Sequence, residues 1–189
     1  MIPTRWADWS ADAEKAYQVL SKRAKKIVVM GLSMGGALTL WMAAQHPEAH
    51  GIVCINPATQ PHPQEVIDTL QEMIDGGIET TDGVGGDIAD PSAHETAYLG
   101  TPLAALKSFW FEGLAPLAPR YPSIKMPMLL YTSVQDHVVQ PSDSDAVAAT
   151  YGGPVERVML ERSYHVATQD YDKDIIFAGA VAFVHRVTA

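Results

Sequence analysis

The sequence predicts an α/β fold in which helices flank a mostly parallel sheet. Three observations support this: short apolar runs rich in β-branched residues recur along the chain, helical patterns separate them, and the runs are continuous rather than alternating. Continuous apolar strands are typical of a parallel sheet, which is buried on both faces by its crossover helices. A chain of 189 residues with 47% hydrophobic residues can bury a sizeable core, so we predict a single domain covering residues 1–189.

The N-terminal part predicts helix, strand, helix and strand in that order. Apolar residues at three- and four-residue intervals predict an amphipathic helix over Trp6–Leu20. The first strand is predicted at Ile27–Met30, and an alanine-rich helix then runs to about Gln45, where Pro47 helps to end it. The next strand is predicted at Gly51–Ile55. A helix between two apolar strands indicates that the strands are parallel.

Residues 58–125 depart from this pattern and predict a cap insertion. Two helical segments, Glu65–Ile74 and Pro102 to about Leu114, flank a glycine- and acid-rich stretch, Gly76–Asp90, which we interpret as a mobile loop. The second segment carries more aromatic surface than one buried face needs. We expect the insertion to cover a pocket; the alternative is a helix pair that serves only as core.

The C-terminal part predicts the rest of the sheet. Strands are expected at Met128–Thr132 and Val155–Leu160, with a helix from about Ser142 to Tyr151 between them and a last amphipathic helix over Tyr171–Val187. The whole chain therefore predicts about four strands, each joined to the next by helical crossovers.

Charge and cysteine content exclude several classes of protein. The net charge of −9 argues against a nucleic-acid partner, because phosphate binding needs a concentrated basic surface. Cys54 is the only cysteine, so no intrachain disulfide can form, and its apolar neighbours indicate a core residue. Arg5, Trp6 and Asp8 interrupt any signal-peptide pattern, so the cytoplasm is the expected compartment.

The run Ile27–Ala44 leaves a membrane helix open as a competing interpretation. It is almost free of polar residues, and Gly31 and Gly35 form a small-x-x-x-small pair. Against this, glycines are concentrated in its first half, its length is at the lower limit for spanning, and no second hydrophobic segment is present. We therefore predict no membrane span.

The segment around Ser33 carries the strongest chemical signal. Gly31 and Gly35 stand two positions either side of Ser33, the G-x-S-x-G spacing that holds a serine on a strained strand-to-helix turn with its hydroxyl exposed. The Met34 N–H at the start of the helix would point at an oxyanion that forms when Ser33 attacks a carbonyl. Serine needs a histidine to take its proton and an acid to orient that histidine.

Two further residues fall where such partners are expected. In parallel α/β sheets, residues that contact ligands gather at the carboxyl ends of strands. Asp136 follows the strand Met128–Thr132, and His165 lies in the loop after Val155–Leu160. The order along the chain is serine, acid, histidine. The remaining histidines lack metal-site spacing, so we predict no metal.

Four motifs together resemble the α/β-hydrolase family, in its small carboxylesterase and monoacylglycerol-lipase-like branch. They are Gly31-Leu32-Ser33-Met34-Gly35-Gly36, His46-Pro47, Ser133-Val134-Gln135-Asp136-His137-Val138-Val139 and Ser163-Tyr164-His165-Val166-Ala167-Thr168. The resemblance covers essentially the whole chain. It implies Ser33 as nucleophile, Asp136 as the orienting acid, His165 as general base and acid, and the Met34 N–H as an oxyanion donor. It also implies an acyl pocket under the cap with Phe109, Trp110, Phe111 and Val138, and no cofactor.

The expected activity is hydrolysis of short- to medium-chain or monoacylglycerol-like carboxylic esters through an acyl-enzyme. One departure from the family supports an alternative: nothing here matches the His-Gly loop that supplies the second oxyanion N–H, so we expect a chain that lacks the N-terminal strands. The alternative is a catalytically impaired fragment that acts by binding or association.

The resemblance also implies that the four strands lie side by side in their order along the chain. Ile27–Met30 would then form an exposed edge, and we expect such an edge to favour self-association into a homo-oligomer.

Overall fold

The computed structural model describes all 189 residues. The helices are α1 (Trp6–Ser21), α2 (Met34–Gln45), α3 (Gln64–Asp75), α4 (Leu103–Ser108), α5 (Ala115–Leu117), α6 (Pro141–Thr150) and α7 (Lys173–Val187). The strands are β1 (Val28–Leu32), β2 (Gly51–Ile55), β3 (Thr80–Asp82), β4 (Gly100–Pro102), β5 (Met128–Ser133) and β6 (Val155–Leu160). A π-helical turn (Phe109–Leu114) and 3₁₀ turns (Ala118–Ser123 and Ala167–Gln169) complete the chain.

The main sheet has four parallel strands in the order β1-β2-β5-β6. This confirms the α/β fold, the four main strands and their predicted order. All residues of β2 and β5 are buried, which explains why their sequences are continuous apolar runs rather than alternating ones. The carboxyl ends of the four strands therefore lie along one edge of the sheet.

Alternate residues of the central strands build a core on each face of the sheet. In β2, Ile52 and Cys54 pack with Leu40 of α2 and Val147 of α6. Burial raises the pKa of the Cys54 thiol, so Cys54 is an inert core residue as predicted. On the other face, a second cluster joins β2, β5 and α7. It contains Val53 and Ile55 of β2, Leu129 and Tyr131 of β5, and Ile176, Ala180 and Phe183 of α7. Helices on both faces thus bury the sheet.

The apolar run Ile27–Ala44 is divided between β1 and α2, with the turn at Ser33 between them. None of the helices combines the length and the apolar character needed to cross a membrane. The membrane-helix interpretation of this run is therefore wrong, because a strand-to-helix turn at Ser33 interrupts it.

The segment predicted as a cap insertion, residues 58–125, lies between β2 and β5 and differs from its prediction in two places. The stretch Gly76–Asp90, interpreted as a loop, contains β3, which pairs antiparallel with β4. The second predicted helix is not one regular element, since α4 gives way at Phe109 to the π-helical turn. Three-residue strands of polar residues carry no periodic signal, so periodicity did not reveal β3 and β4.

Helix α1 packs against both the sheet layer and the cap insertion. Trp6 is buried and stacks on Phe109 at a centroid distance of 5.9 Å, and its edge meets Trp41 of α2 at 6.5 Å. At its start, the Asp8 carboxylate accepts a hydrogen bond from the Arg5 N–H, so Asp8 supports the helix terminus while Ser10 lies inside the helix.

Candidate active site

Ser33 lies on a strained turn between β1 and α2. Its φ of 57° and ψ of −121° are sparsely populated for a residue with a side chain, and such strain persists only when the surroundings hold it. Here the Ser33 N–H donates to the Ile55 carbonyl of β2 at 3.0 Å, and the Ser33 carbonyl accepts from Gly36 and Ala37. The turn is therefore fixed by both elements that flank it.

Two positions near Ser33, Gly31 and Gly36, have no room for a side chain. A Cβ at Gly31 would lie 2.1 Å from the Gly35 carbonyl oxygen, and one at Gly36 would lie 2.6 Å from Cβ of Pro57. A Cβ at Gly35 would meet nothing within 4 Å. Of the two glycines that flank Ser33 in the motif, only Gly31 is therefore needed to avoid a collision.

Met34 is the first residue of α2. The first N–H groups of a helix have no acceptor inside it, and they carry the positive end of the helix dipole. The Met34 N–H, beside Ser33 at the start of α2, therefore stays the predicted donor to a developing oxyanion.

His165 and Asp136 are in contact. Nδ1 of His165 lies 2.7 Å from Oδ2 of Asp136, and the two side chains are only 6% and 2% exposed. Oδ1 of Asp136 accepts hydrogen bonds from the N–H groups of Val138 and Val139 at 2.9 and 2.8 Å. A carboxylate can only accept, so Nδ1 of His165 carries its proton and Nε2 is left to receive one.

Two other carboxylates near the carboxyl ends of the strands, Asp143 and Asp170, are engaged elsewhere. Asp143 accepts hydrogen bonds from the backbone N–H groups of Thr59 and Gln60, and Asp170 is saturated by four backbone N–H groups. Neither contacts the His165 ring. The hydrogen bonds of the site do not include one between Ser33 Oγ and His165 Nε2, so that contact stays a prediction; such bonds are often long in the absence of substrate.

A cavity of about 620 Å³ opens beside Ser33 and is lined mainly by apolar side chains. Ser33, Met34, Phe109, Trp110 and Val138 all line it, whereas His165 and Asp136 do not. Phe111 is not among the residues that line the cavity, so the structure does not place it in the pocket as predicted. It is 52% exposed. Successive residues of a helical turn point in different directions, which separates Phe111 from Phe109 and Trp110.

One wall of the cavity holds a histidine. The His62 ring packs against the Trp110 ring, with the ring centroids 3.8 Å apart and the planes tilted by 32°. Burial lowers the pKa of His62, although the charge of Asp143 opposes this. The mainly apolar lining of the cavity suits an apolar group better than an anion. No group of three or more His, Cys, Asp or Glu side chains has the arrangement needed to hold a metal ion.

Asn56, directly after β2, anchors the His165 loop. It has a φ of 43°, and asparagine is one of the few residues that tolerate this region. Its Nδ2 donates to Ser133 Oγ and to the His165 carbonyl, both at 2.9 Å. Its position at the carboxyl end of β2 was the available signal.

Asp87, in the stretch interpreted as a mobile loop, contacts both loops of the site. Its Oδ2 accepts from the N–H groups of His165 and His137 at 3.0 and 3.1 Å, and its Oδ1 lies 2.8 Å from Nδ1 of His137. Burial acts to raise the pKa of Asp87, but these hydrogen bonds outweigh it and hold the pKa below its ordinary value. The segment around Asp87 is therefore docked on the site, and nothing in its local sequence indicated this.

Comparison with known proteins gives concordant results. The Hydrolase_4 family, described as serine aminopeptidase S33, matches residues 2–79. A thermostable monoacylglycerol lipase from Bacillus sp. strain H-257 is 36% identical over 187 residues, which cover 97% of this chain and 72% of the lipase.

Solved structures agree with this similarity. A chain from LipS and LipT, two metagenome-derived lipolytic enzymes, superposes with a TM-score of 0.90 at 36% identity and covers 98% of this chain and 75% of its own. The monoacylglycerol lipase of Paleococcus ferrophilus shares the fold, with a TM-score of 0.66 at 17% identity over 93% of this chain and 74% of its own.

Proposed function

The chain belongs to the α/β-hydrolase family, in its carboxylesterase and monoacylglycerol-lipase-like branch, and from this premise we propose that it cleaves carboxylic esters with Ser33, His165 and Asp136 as a catalytic triad. The observation that carries the proposal is the buried contact between His165 Nδ1 and Asp136 Oδ2 at 2.7 Å. It orients the ring and leaves Nε2 available as the base.

The proposed reaction has two steps. Ser33 Oγ attacks the ester carbonyl while His165 Nε2 takes the hydroxyl proton, and the Met34 N–H donates to the oxyanion. Collapse of this intermediate breaks the ester bond, and His165 returns the proton to the departing alcohol. Water, activated by the same nitrogen, then attacks the acyl-enzyme and releases the carboxylic acid and free Ser33.

The size and lining of the cavity favour acyl groups of short to medium length. Its volume of about 620 Å³ falls within the range of small-molecule sites, and its walls are mainly apolar and aromatic, although Asp143 also lines it. The relative from Bacillus is a monoacylglycerol lipase. We therefore propose monoacylglycerol-like esters, with the acyl chain in the cavity, as the substrate class.

Hydrolysis of p-nitrophenyl esters and monoacylglycerols of increasing acyl length tests this proposal. We expect turnover that is highest at short to medium length and that falls by more than about 10³-fold in Ser33→Ala. Ser142→Ala is the matched control, because Ser142 is exposed and should retain full activity. Equal turnover by Ser33→Ala and the unaltered chain would remove Ser33 from the mechanism.

A second candidate is association without turnover. It is supported by the position of β1 at an edge of the sheet, where backbone groups are available to another strand. Ester turnover by the purified chain that disappears in Ser33→Ala would eliminate this candidate.

A further inference from the structure

Asp87 joins two loops that are distant in sequence. Its carboxylate accepts hydrogen bonds from the N–H of His137, which directly follows Asp136, and from the N–H of His165. The Asp87 carbonyl also accepts from the Val166 N–H at 3.1 Å. One residue of the cap insertion therefore fixes the backbone beside both members of the buried histidine–aspartate pair.

The backbone of His165 is held on both sides of its Cα. Its N–H donates to Asp87 from the cap insertion, and its carbonyl accepts from Asn56 at the end of β2. Neither of the two peptide groups that flank this Cα can rotate without breaking one of these hydrogen bonds. They hold the point from which the ring extends, and the contact with Asp136 orients the ring itself.

The segment that carries Asp87 has a second attachment to the same loop. The N–H groups of Ala89 and Asp90 donate to the Asp170 carboxylate at 2.8 and 3.0 Å, and this carboxylate also accepts from Tyr164 at 2.9 Å. Asp170 is fully buried. The position of Asp87 is therefore determined by the surrounding structure rather than by a single contact.

We propose that Asp87 is a positioning residue, which uses the cap insertion to hold His165 and Asp136 in their reactive geometry. This rests on the proposed triad. Asp87 itself does not touch the reacting atoms; it acts through the backbone of the two loops. The cap insertion would then serve catalysis by docking on the His165 loop as well as by lining the cavity.

Variants of Asp87 show whether its hydrogen bonds or its negative charge hold the two loops. In Asp87→Asn, the amide oxygen can replace Oδ2 and accept both N–H groups, while the NH₂ group faces a His137 ring nitrogen that is able to accept. Asp87→Ala loses all three contacts. Asp90→Ala is the matched control in the same segment, because the Asp90 side chain bonds only to Ser92.

We expect Asp87→Ala to lower kcat by about 10- to 100-fold, since small misplacements of catalytic groups have effects of this size, with little change in KM. Asp87→Asn should recover most of kcat, and Asp90→Ala should match the unaltered chain. Loss of activity in Asp87→Asn equal to that in Asp87→Ala, or full activity in Asp87→Ala, would overturn the proposal. If Asp87→Ala does not fold, Asp87→Glu replaces it: this variant keeps the charge but misplaces the carboxylate, and its kcat must fall below that of Asp87→Asn.

A spectroscopic readout separates this inference from the proposed function. The downfield NMR resonance of the His165 Nδ1 proton reports the bond to Asp136 without any turnover. We expect it to weaken or shift in Asp87→Ala and to persist in Asp87→Asn, even when the measurement is made in the Ser33→Ala background. A resonance unchanged by Asp87→Ala would contradict the positioning role, whereas ester turnover that is independent of Ser33 would contradict only the proposed function.

Discussion

Gly31 and Gly35 flank Ser33 symmetrically in sequence, but the structure uses them differently. Gly31 faces the backbone of α2, where a Cβ would overlap the Gly35 carbonyl oxygen and approach Thr39 Oγ1 to 2.8 Å. Gly35 faces open space within the first turn of α2. Only the first of the two glycines is required by packing.

This difference predicts opposite effects for the same substitution. Gly31→Ala should destabilise the chain by more than about 3 kcal/mol, the upper end of the usual cost of overpacking, because the clash is with backbone atoms that cannot rotate away. Gly35→Ala should stabilise it by about 0.5–1 kcal/mol, since alanine is favoured over glycine in a helix. Denaturant unfolding measures both, and a Gly31→Ala variant as stable as Gly35→Ala would show that β1 and α2 can separate.

The positions of single residues at strand ends were predictable, because apolar runs mark the strands they follow. Ser33, Asp136 and His165 each follow a strand and keep an order along the chain that matches a known arrangement. Asp87 lies 78 positions before His165, and its role arises only when the cap insertion folds back on that loop. Phe111 was misplaced for a related reason, because aromatic composition does not show which side of a π-helical turn a side chain takes.

At the scale of elements, an ionisable cluster ties α1 to the end of α2. The His46 ring lies between Glu14 and Glu48, with Nε2 and Nδ1 at 2.7 and 3.0 Å from the two carboxylates. The Tyr17 ring stacks on His46, and its hydroxyl donates to Glu48. Burial raises the pKa of Tyr17 to about 12, so Tyr17 stays a donor across the physiological range.

The charges in this cluster favour each other. Burial acts to lower the pKa of His46, but the hydrogen bonds and charges of Glu14 and Glu48 outweigh it and raise that pKa. The hydrogen bond from His46 is the main cause that lowers the pKa of Glu14. The pKa of Glu48 is lowered mainly by a hydrogen bond from its own backbone N–H, and the hydrogen bond from His46 lowers it further.

These directions predict that stability falls as pH rises above neutral. The folded state holds the His46 proton more tightly than the unfolded state does. The stabilisation of the folded state by protonated His46 is therefore complete below about pH 6.5, and it is lost as pH rises through the raised pKa of His46. At the acid side, the contribution of Glu14 is lost as pH falls through its lowered pKa. Thermal melts across this range should show the decrease in the unaltered chain and a flatter profile in His46→Gln.

His185→Gln is the control for this experiment, because His185 is exposed on α7. Its profile should follow that of the unaltered chain. A profile for His46→Gln that decreases above neutral pH as steeply as that of the unaltered chain would show that His46 does not bind its proton more tightly on folding.

Elements were predictable in proportion to their hydrophobic periodicity. The four core strands and α1, α2 and α7 carry long apolar patterns, and their observed bounds lie within two residues of the predicted ones. β3 and β4 have three residues each, and their pairing depends on a contact across the cap insertion. The π-helical turn follows α4 directly, and neither Gly nor Pro stands at the junction Ser108-Phe109 to mark a break in the helix.

At the scale of the whole molecule, the two edges of the main sheet differ in chemistry. β6 carries Glu156 and Arg157, charges of the kind that protect an edge strand. β1 consists of Val28-Val29-Met30-Gly31-Leu32 and has no charge, and Met30 at its centre is 52% exposed. The unpaired backbone of β1 is therefore open to another strand.

We predict that the 189-residue chain self-associates through β1. Light scattering should show an apparent mass that rises with concentration, together with a low or broad thermal transition. Met30→Lys places a charge at the centre of the edge and should reduce the association, since lysine on edge strands opposes pairing. A concentration-independent monomer with a sharp transition at high temperature would show that β1 is protected in another way.

The most direct test of the account is the site of covalent modification. After treatment of the chain with a fluorophosphonate probe, peptide mass spectrometry should find the adduct on the peptide that contains Ser33, and the rate of labelling should fall sharply in His165→Ala and Asp136→Ala. This result would join the serine on the strained turn to the buried histidine–aspartate pair in one reaction. An unlabelled chain, or an adduct on any other residue, would contradict the central claim that Ser33 is the nucleophile of an ester hydrolase.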